Sequence, residues 1–328
     1  MELDEARTLK QQLGRYVTEL MAERPRPAAA AAPLGVALGL APRREGQFDV
    51  AVRYRLGTPT ARMVARRVAG EVGPGVDVRR TGRIVPMGAT RPRGPVPTAQ
   101  AVGETTRVRP LRPGISVAHE AVSAGTLGAF VTVAGDDTVH ALSNHHVLVG
   151  PRGQVGDRVL QPGPADGGRS PADRVGELSA YVPLVPGEVA HVDAALARLD
   201  VAEVDRGHPA GPLEGWGTVE GDEVVQKVGR TTGITEGRVT AIELDQVLVG
   251  YGTELGELRF DDQIEVESTG PGPFSRGGDS GSLVYRTTDR RAIGLLFAGS
   301  ESGGENGTGL TYLNPVGEVL AALRATLL

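Results

Sequence analysis

Ala6, Leu9, Leu13, Tyr16 and Leu20 recur at alternating steps of three and four, which predicts a helix over residues 2–22 with one narrow apolar seam. A seam of two heptads is too short to hold a free coiled coil. It therefore needs a surface, either the body of the protein or a second copy, and docking within the chain is favoured. Pro25 to Pro33, with five consecutive alanines, reads as a linker, so 1–24 is the helix and 25–33 the linker. Residues 34–87 then read as a small α/β unit. Leu34 to Leu40 and Phe48 to Leu56 have strand character, Met63, Val64, Val68 and Val72 keep helical spacing, and Val76 to Met87 returns as strand, ending in Ile84-Val85-Pro86. A second linker rich in Pro, Arg and Thr spans 88–112.

From Gly114 onward the texture changes to short apolar runs separated by turn residues. The first group is Leu127–Val133, Val139–Leu142, Asp157–Gln161, Asp173–Ala180 and Val192–Leu199, with Ile115–Ala118 as an opening strand. After a Gly/Pro break at His208–Trp216 comes a second group: Glu223–Thr231, Gly237–Leu248, Leu258–Glu267, Ser282–Arg286, Ala292–Ala298 and Gly309–Leu313. Two groups of about six strands predict a mainly β domain over 113–328, made of two packed antiparallel barrels near 113–207 and 208–314. Val316, Val319, Leu320 and Leu323 close the chain as a helix over 315–327.

Composition narrows the function. The chain has 328 residues, enough for sizeable cores, and a net charge of −5, which gives no general attraction to nucleic acid or anionic membrane. No cysteine is present, so disulfides and thiolate metal sites are excluded, and no apolar run reaches the length of a membrane span. The acidic start Met1-Glu2-Leu3-Asp4-Glu5 lacks the pattern of a secretory signal, which makes the cytoplasm the expected compartment.

The candidate chemistry centres on Gly277-Gly278-Asp279-Ser280-Gly281-Ser282. A serine held between glycines on a tight turn can project its hydroxyl into a cleft and aim backbone N–H groups at an incoming carbonyl. Taken alone, the stretch also reads as a Gly-rich hairpin turn. A serine nucleophile needs a base, and a third group to fix the base's tautomer. Of six histidines, His145 and His146 stand at the end of an apolar strand, whereas His119, His140, His191 and His208 read as surface or structural. No HExxH pattern or carboxylate partner accompanies the pair, so no metal and no cofactor are expected. Asp193 is the one carboxylate in the apolar run Val192–Leu199 and needs a partner if buried; Asp200 and Asp205 are weaker rivals in polar flanks.

The order His…Asp…Ser, with Ser143-Asn144-His145-His146-Val147, Val192-Asp193-Ala194-Ala195 and Gly278-Asp279-Ser280-Gly281, resembles the trypsin-like (chymotrypsin-fold) serine proteases. It is similar in particular to a bacterial branch marked by Ser-Asn-Asn-His-Val and by Gly-Arg-Thr-Thr-Gly, here Gly229-Arg230-Thr231-Thr232-Gly233. Arg112-Pro113-Gly114-Ile115-Ser116, Ala124-Gly125-Thr126-Leu127-Gly128 and Gly35-Val36-Ala37-Leu38-Gly39 fit the same branch, and the resemblance covers roughly 34–328. It implies a chymotrypsin-like double barrel and a serine endopeptidase acting on peptides or proteins. His146, directly before Val147, takes the place of the base, and His145 stands where Asn is usual. Asp193 would orient His146, Ser280 would attack the scissile carbonyl, and the N–H groups of Gly278 and Ser280 would form the oxyanion hole.

In the trypsin branch the aspartate before the serine pairs with a newly released amino terminus. For Asp279 the expectation is an internal cation, Arg230 or Arg276, or a hole left unformed until activation. By distance from the nucleophile, Phe274 is expected near the base of the primary pocket, with Phe297-Ala298-Gly299 as its wall, which disfavours basic residues there. The Gly-rich loop 299–309 reads either as a substrate contact or as plain surface. Two alternatives stay open: a catalytically silent or self-processing protein of this fold acting as a binding module, and an assembly protein associating through the N-terminal helix.

Overall fold

The computed structural model describes residues 1–22, 35–87, 97–150, 152–201, 203–300 and 302–328. The linker 25–33 and the first part of the linker 88–112 lie outside the described residues. The N-terminal region runs α1 (Leu3–Ala22), β1 (Val36–Pro42), β2 (Phe48–Arg55), α2 (Pro59–Val72), β3 (Val76–Thr81) and the short β4 (Val85–Pro86). Next come β5 (Ser116–His119), β6 (Gly125–Thr126), β7 (Ala129–Val133), β8 (Asp136–Ser143), the single turn α3 (His145–Leu148), β9 (Arg158–Leu160), β10 (Arg174–Tyr181), β11 (Val189–Ala190) and β12 (Ala195–Leu199). The C-terminal part comprises β13 (Val224–Gly229), β14 (Gly233–Asp245), β15 (Val247–Gly250), α4 (Gly252–Leu255), β16 (Glu257–Phe260), β17 (Gln263–Ser268), β18 (Leu283–Arg286), β19 (Ala292–Gly299), β20 (Thr311–Pro315), α5 (Val316–Leu323) and β21 (Ala325–Leu327).

Strands β13, β18, β19, β20, β17 and β14 pair in that order, and β13 pairs back onto β14 through the hairpin register Gly229↔Gly233, which closes a barrel. The other catalytic-size body is an eight-stranded curled sheet in the order β21-β7-β8-β12-β10-β9-β5-β6. Its inner face packs Ile115, Val117, Leu127, Phe130, Val159 and Leu178 into one core. The strand expected over Leu258–Glu267 is two strands. Asp262, at φ 61°, turns the chain between them, and β16 leaves the barrel to pair with β15 and β11 in a three-stranded sheet. The closing helix is also shorter than the apolar spacing suggested. Arg324 adopts a left-handed conformation, and Ala325–Leu327 leaves as a strand that pairs with Val131–Val133 of β7.

The N-terminal unit is continuous with the closed barrel. β1 pairs antiparallel with β14, joining Leu38 to Asp245 and Leu40 to Ile242, and β2 and β3 extend the same sheet. β1 is buried on both faces, which explains its nearly unbroken apolar sequence. On one face Val36, Leu38, Val50 and Val52 meet Leu13 and Val17 of α1 and Ala61, Val64 and Val68 of α2. The helical seam thus docks on the body of the chain, with Val17 rather than Tyr16 buried. Arg7 and Lys10 fix it further through Glu243 and Asp245.

A buried ion pair crosses from the N-terminal unit to the barrel. Arg53 Nε lies 2.8 Å from Glu265 Oε1 and 2.9 Å from Oε2, both residues almost fully shielded, and Arg53 Nη2 also meets Asp77 at 2.9 Å. Thr240 Oγ1 donates to the same Glu265 carboxylate at 2.7 Å, so its charge is well satisfied. Removing one partner leaves an uncompensated buried charge. Arg53→Ala is therefore expected to lower the free energy of unfolding by about 3–5 kcal/mol, read from the denaturant midpoint, and the double change Arg53→Met, Glu265→Leu by much less.

Candidate active site

The pairing of β8 with β12 sets Ser143 opposite Ala195, so the residues just after β8 face those just before β12. That register brings His146, in the single turn α3, beside Asp193. His146 Nδ1 lies 2.5 Å from Asp193 Oδ2, and the His146 backbone N–H donates to Oδ1 at 3.3 Å. The carboxylate acceptor puts the ring proton on Nδ1 and leaves Nε2 with its lone pair. Nε2 is buried and has no hydrogen-bond partner among the described residues.

Asp193 is completely buried. Burial opposes its charge, but the His146 ring, its hydrogen bond and a hydroxyl donated by Tyr251 hold the carboxyl below its ordinary range. Its backbone is held as firmly: Asn144 Nδ2 donates to the Asp193 carbonyl at 2.7 Å, and the Asp193 N–H donates to Asn314 Oδ1 at 2.9 Å. Desolvation, and then the Asp193 charge, raise the Tyr251 hydroxyl well above its usual value, so it remains a donor. Tyr251 and Asn314 were not singled out from the sequence. Tyr251 ends an apolar run and reads as a core ring; Asn314, a lone amide closing an apolar strand, carries the same kind of signal that marked Asp193.

Ser280 lies on the turn before β18, between Gly278 and Gly281, both at positive φ (104° and 92°). A Cβ at Gly281 would fall 2.1 Å from Ser143 Oγ and 2.2 Å from the Thr126 carbonyl, so the turn can approach the curled sheet only as glycine. The approach is fixed by Thr126 N–H donating to Ser280 O at 2.7 Å and Ser143 Oγ donating to Thr126 O at 2.7 Å. Ser143 stands three residues before His146, so the serine turn and the histidine turn share one support. The expected bond from Ser280 Oγ to His146 Nε2 is not made. The hydroxyl donates instead to the Phe297 carbonyl at 3.2 Å.

Asp279 is fully buried and its partner differs from either expected cation. Lys227 Nζ lies 3.5 Å from Oδ2, while backbone N–H groups of Thr231 (2.9 Å), Thr232 (3.1 Å) and Arg276 (2.9 Å) and the Thr232 hydroxyl (2.8 Å) donate to the carboxylate. Arg230 is engaged elsewhere, with Asp166 of the curled sheet's periphery, which also accepts from Ser116 and Thr98. Lys227 is long enough to reach under Phe274, with Nζ 5.9 Å from the ring centroid. That residue's position in an alternating strand gave no hint that it points inward.

The N–H groups of Gly278 and Ser280 converge on one acceptor, the carbonyl oxygen of Met87, the second at 3.4 Å. Met87 N–H donates to Phe297 O at 3.0 Å, and β4 runs antiparallel to β19 with Pro86 opposite Ala298 and Val85 opposite Gly299. Phe274 lies in the same buried cluster as Met87, and a Cβ at Gly299 would fall 2.2 Å from Met87 Cε. Of the residues expected as pocket base and wall, Phe274 and Gly299 are thus beside the Met87 side chain, while Phe297 and Ala298 meet the segment through backbone pairing. Part of the Gly-rich loop is engaged too: Ser302 O accepts from Gly82 N–H at 2.9 Å. His145 stacks edge-on against Tyr181 at 5.4 Å, and burial lowers its pKa. Asp200 pairs with Arg174 at 3.1 Å and Asp205 caps its own turn at Gly207, and the carboxylate bonded to His146 is Asp193.

No family model and no curated protein matches the sequence. Among solved structures the chain is similar to Thermobifida fusca protease A, with TM-score 0.45 and 18% identity over 66% of this chain and 98% of that one. It is similar as well to a Nocardiopsis protease (TM-score 0.46, 20% identity, 66% and 98% covered) and to a Cellulomonas bogoriensis chymotrypsin (0.43, 20%, 66% and 98%). The closed six-stranded barrel and the curled second sheet have the architecture of a chymotrypsin-like double barrel. Two of these neighbours are named as proteases and one as a chymotrypsin, and likenesses of this size say nothing about what this chain does. Among the described residues no helix is long and apolar enough to cross a membrane.

Tyr251→Phe removes a donor to a buried charge and is expected to cost about 1.5–3 kcal/mol of stability near neutral pH. Asp193 has a folded pKa below its unfolded one, so its ionisation contributes stability above the unfolded pKa and loses it as pH falls through the folded value. Weakening that depression moves the loss to higher pH. Acid unfolding of Tyr251→Phe, followed by circular dichroism, should have its midpoint shifted upward relative to wild type.

Proposed function

We propose that the protein is a serine endopeptidase in which Ser280 is the nucleophile, His146 the general base and Asp193 the group that orients and stabilises the imidazolium. The observation that carries this reading is the convergence of the Gly278 and Ser280 N–H groups on one carbonyl oxygen beside the serine. Two preorganised donors aimed at one oxygen are what a tetrahedral acyl intermediate requires, and removing one such donor costs about 3–4 kcal/mol in comparable sites. His146 supports it with an Asp-bound Nδ1 and an unpartnered Nε2 able to take the serine proton. No resident cofactor or metal enters the steps: Oγ attacks, the proton passes to Nε2 and then to the leaving amine, and water hydrolyses the ester. The substrates are peptides or proteins.

One observation favours a second reading, a binding module of the same fold without turnover: Ser280 Oγ is bonded to Phe297 O and not to His146. The two readings part on reactivity. A fluorophosphonate probe should label the full chain at Ser280, with labelling lost in Ser280→Ala. Peptide hydrolysis should fall about 10⁴-fold in Asp193→Asn and about 10⁶-fold in His146→Ala. A chain that is never labelled and hydrolyses nothing is the binding module.

A further inference from the structure

Strand β2, helix α2 and strand β3 form a crossover unit, because β2 and β3 pair in parallel with Tyr54 opposite Arg80 and Arg55 opposite Thr81. Parallel strands joined by a helix commonly receive ligands outside their carboxyl ends. A cavity of about 560 Å³ lies at that place, bordered by the ends of β2 and β3 and the turn that leads into α2. Its size falls within the range of small-molecule sites. One face of α2 completes it, with Pro59, Arg62, Met63, Arg66 and Arg67 recurring at helical spacing. With Arg55 and Arg80, five arginines line this single cavity. The whole chain carries 40 acidic residues against 35 basic ones, yet among the described residues no carboxylate lines it.

Arginines gathered this closely repel one another. Arg62 and Arg66 stand four residues apart, the spacing at which like charges oppose helix formation. Arg55 is partnered by Glu257 at 2.7 Å, whereas Arg62, Arg66, Arg67 and Arg80 are exposed and make no ion pair among the described residues. Tyr54, Pro59 and Met63 add apolar surface, and the Thr58 hydroxyl makes no helix-capping bond. We propose that this cavity binds a small organic polyphosphate: two or more phosphate groups held by the arginines, joined to an apolar or planar body lying against Tyr54 and Met63. A guanidinium grips phosphate oxygens through two parallel N–H bonds, and several phosphates on one ligand can answer several arginines at once. A single inorganic phosphate leaves most of the cluster and the apolar wall without a partner. The net charge of −5 opposes a long anionic strand, which must extend beyond the cavity, but not a ligand that the cavity contains. Such a ligand ties α2 to the ends of β2 and β3, so its binding stabilises the folded chain. The inference does not depend on the endopeptidase reading.

The test is isothermal titration calorimetry and thermal unfolding of the full chain, without added metal ions, against adenosine triphosphate, tripolyphosphate, inorganic phosphate and a short single-stranded RNA. Adenosine triphosphate should bind one to one, raise the unfolding midpoint and bind more tightly than tripolyphosphate, with inorganic phosphate weakest. The double change Arg62→Ala, Arg66→Ala should weaken it at least about tenfold, and Arg80→Gln, on a different element, at least about threefold. Arg15→Ala, an exposed arginine of α1 outside the cavity, should leave it unchanged. The variants replace exposed side chains, so their unfolding midpoints without ligand should stay close to that of wild type. Neither heat nor a midpoint shift with adenosine triphosphate at millimolar concentration overturns the site. Binding that the Arg62, Arg66 and Arg80 variants leave intact, or that Arg15→Ala weakens equally, overturns it by placing the anion elsewhere. Tripolyphosphate bound at least as tightly as adenosine triphosphate overturns the organic body in favour of bare polyphosphate. RNA bound more tightly through the same arginines overturns the small ligand in favour of nucleic acid.

Discussion

Two backbone N–H groups on one tight turn need an acceptor, and the carbonyl of Met87, carried by the strands that extend the closed barrel, provides it. The Gly278 and Ser280 donors point the same way because Gly278 and Gly281 hold φ near 100° and because Asp279, between them, is turned inward. A donor pair fixed in that direction and left without a partner in a dry cleft carries a desolvation cost of about 1–3 kcal/mol per group. The carbonyl of Met87 removes that cost. Its position depends on seven residues of extended chain that pair in turn with the 302 loop, with β15 and with β19.

That segment can be so well placed only because its origin is rigid. β3, from which it departs, is the third strand of an extension hydrogen-bonded to the closed barrel through β14, and Arg53 and Glu265 lock the two at the centre of the sheet. Arg79, also on β3, reaches Glu267 on the barrel strand β17. The residues from Thr81 to Met87 are thus a short tether between two fixed points, one on the extended sheet and one at the serine turn. A separate domain swinging on a linker would hold Met87 with far less precision, since a flexible connection spreads its end over many positions.

Much of this was legible in the sequence, and the parts that were not share a physical cause. Alternating strands, the docking seam of α1 and the His146, Asp193 and Ser280 motifs all leave local signals: a period, a lone polar residue in an apolar run, or glycines around a serine. Lys227 leaves none. It sits in a run of alternating residues where lysine normally faces water, and only the barrel's closure turns it toward Asp279. Arg230 and Arg276 were the natural candidates because they are close in sequence to glycine turns, yet Arg230 is held by Asp166 and Arg276 contributes only its backbone. Val76 to Met87 read as one strand, but it breaks after Thr81, and Val85-Pro86 forms a separate strand paired with β19, more than two hundred residues away in the chain. Long-range pairing of that kind has no periodicity to betray it.

The Asp279 environment bears directly on how such a site is controlled. In an arrangement where this aspartate awaits a new amino terminus, the donors at the serine turn form only when that charge arrives. Here the carboxylate already has three backbone donors, a hydroxyl and a lysine, all from its own barrel. Burial lowers the Lys227 pKa, and the Asp279 charge and hydrogen bond oppose that shift only in part. Under the proposed endopeptidase reading the donors are preformed and restraint falls to occupancy: the Met87 carbonyl sits on them, and the serine hydroxyl rests on Phe297 O rather than on His146. Control by occupancy differs from control by assembly in one physical respect. Clearing the Met87 segment from the turn requires breaking strand pairings and drawing one apolar side chain out of its surroundings, with no refolding of the turn that carries Ser280.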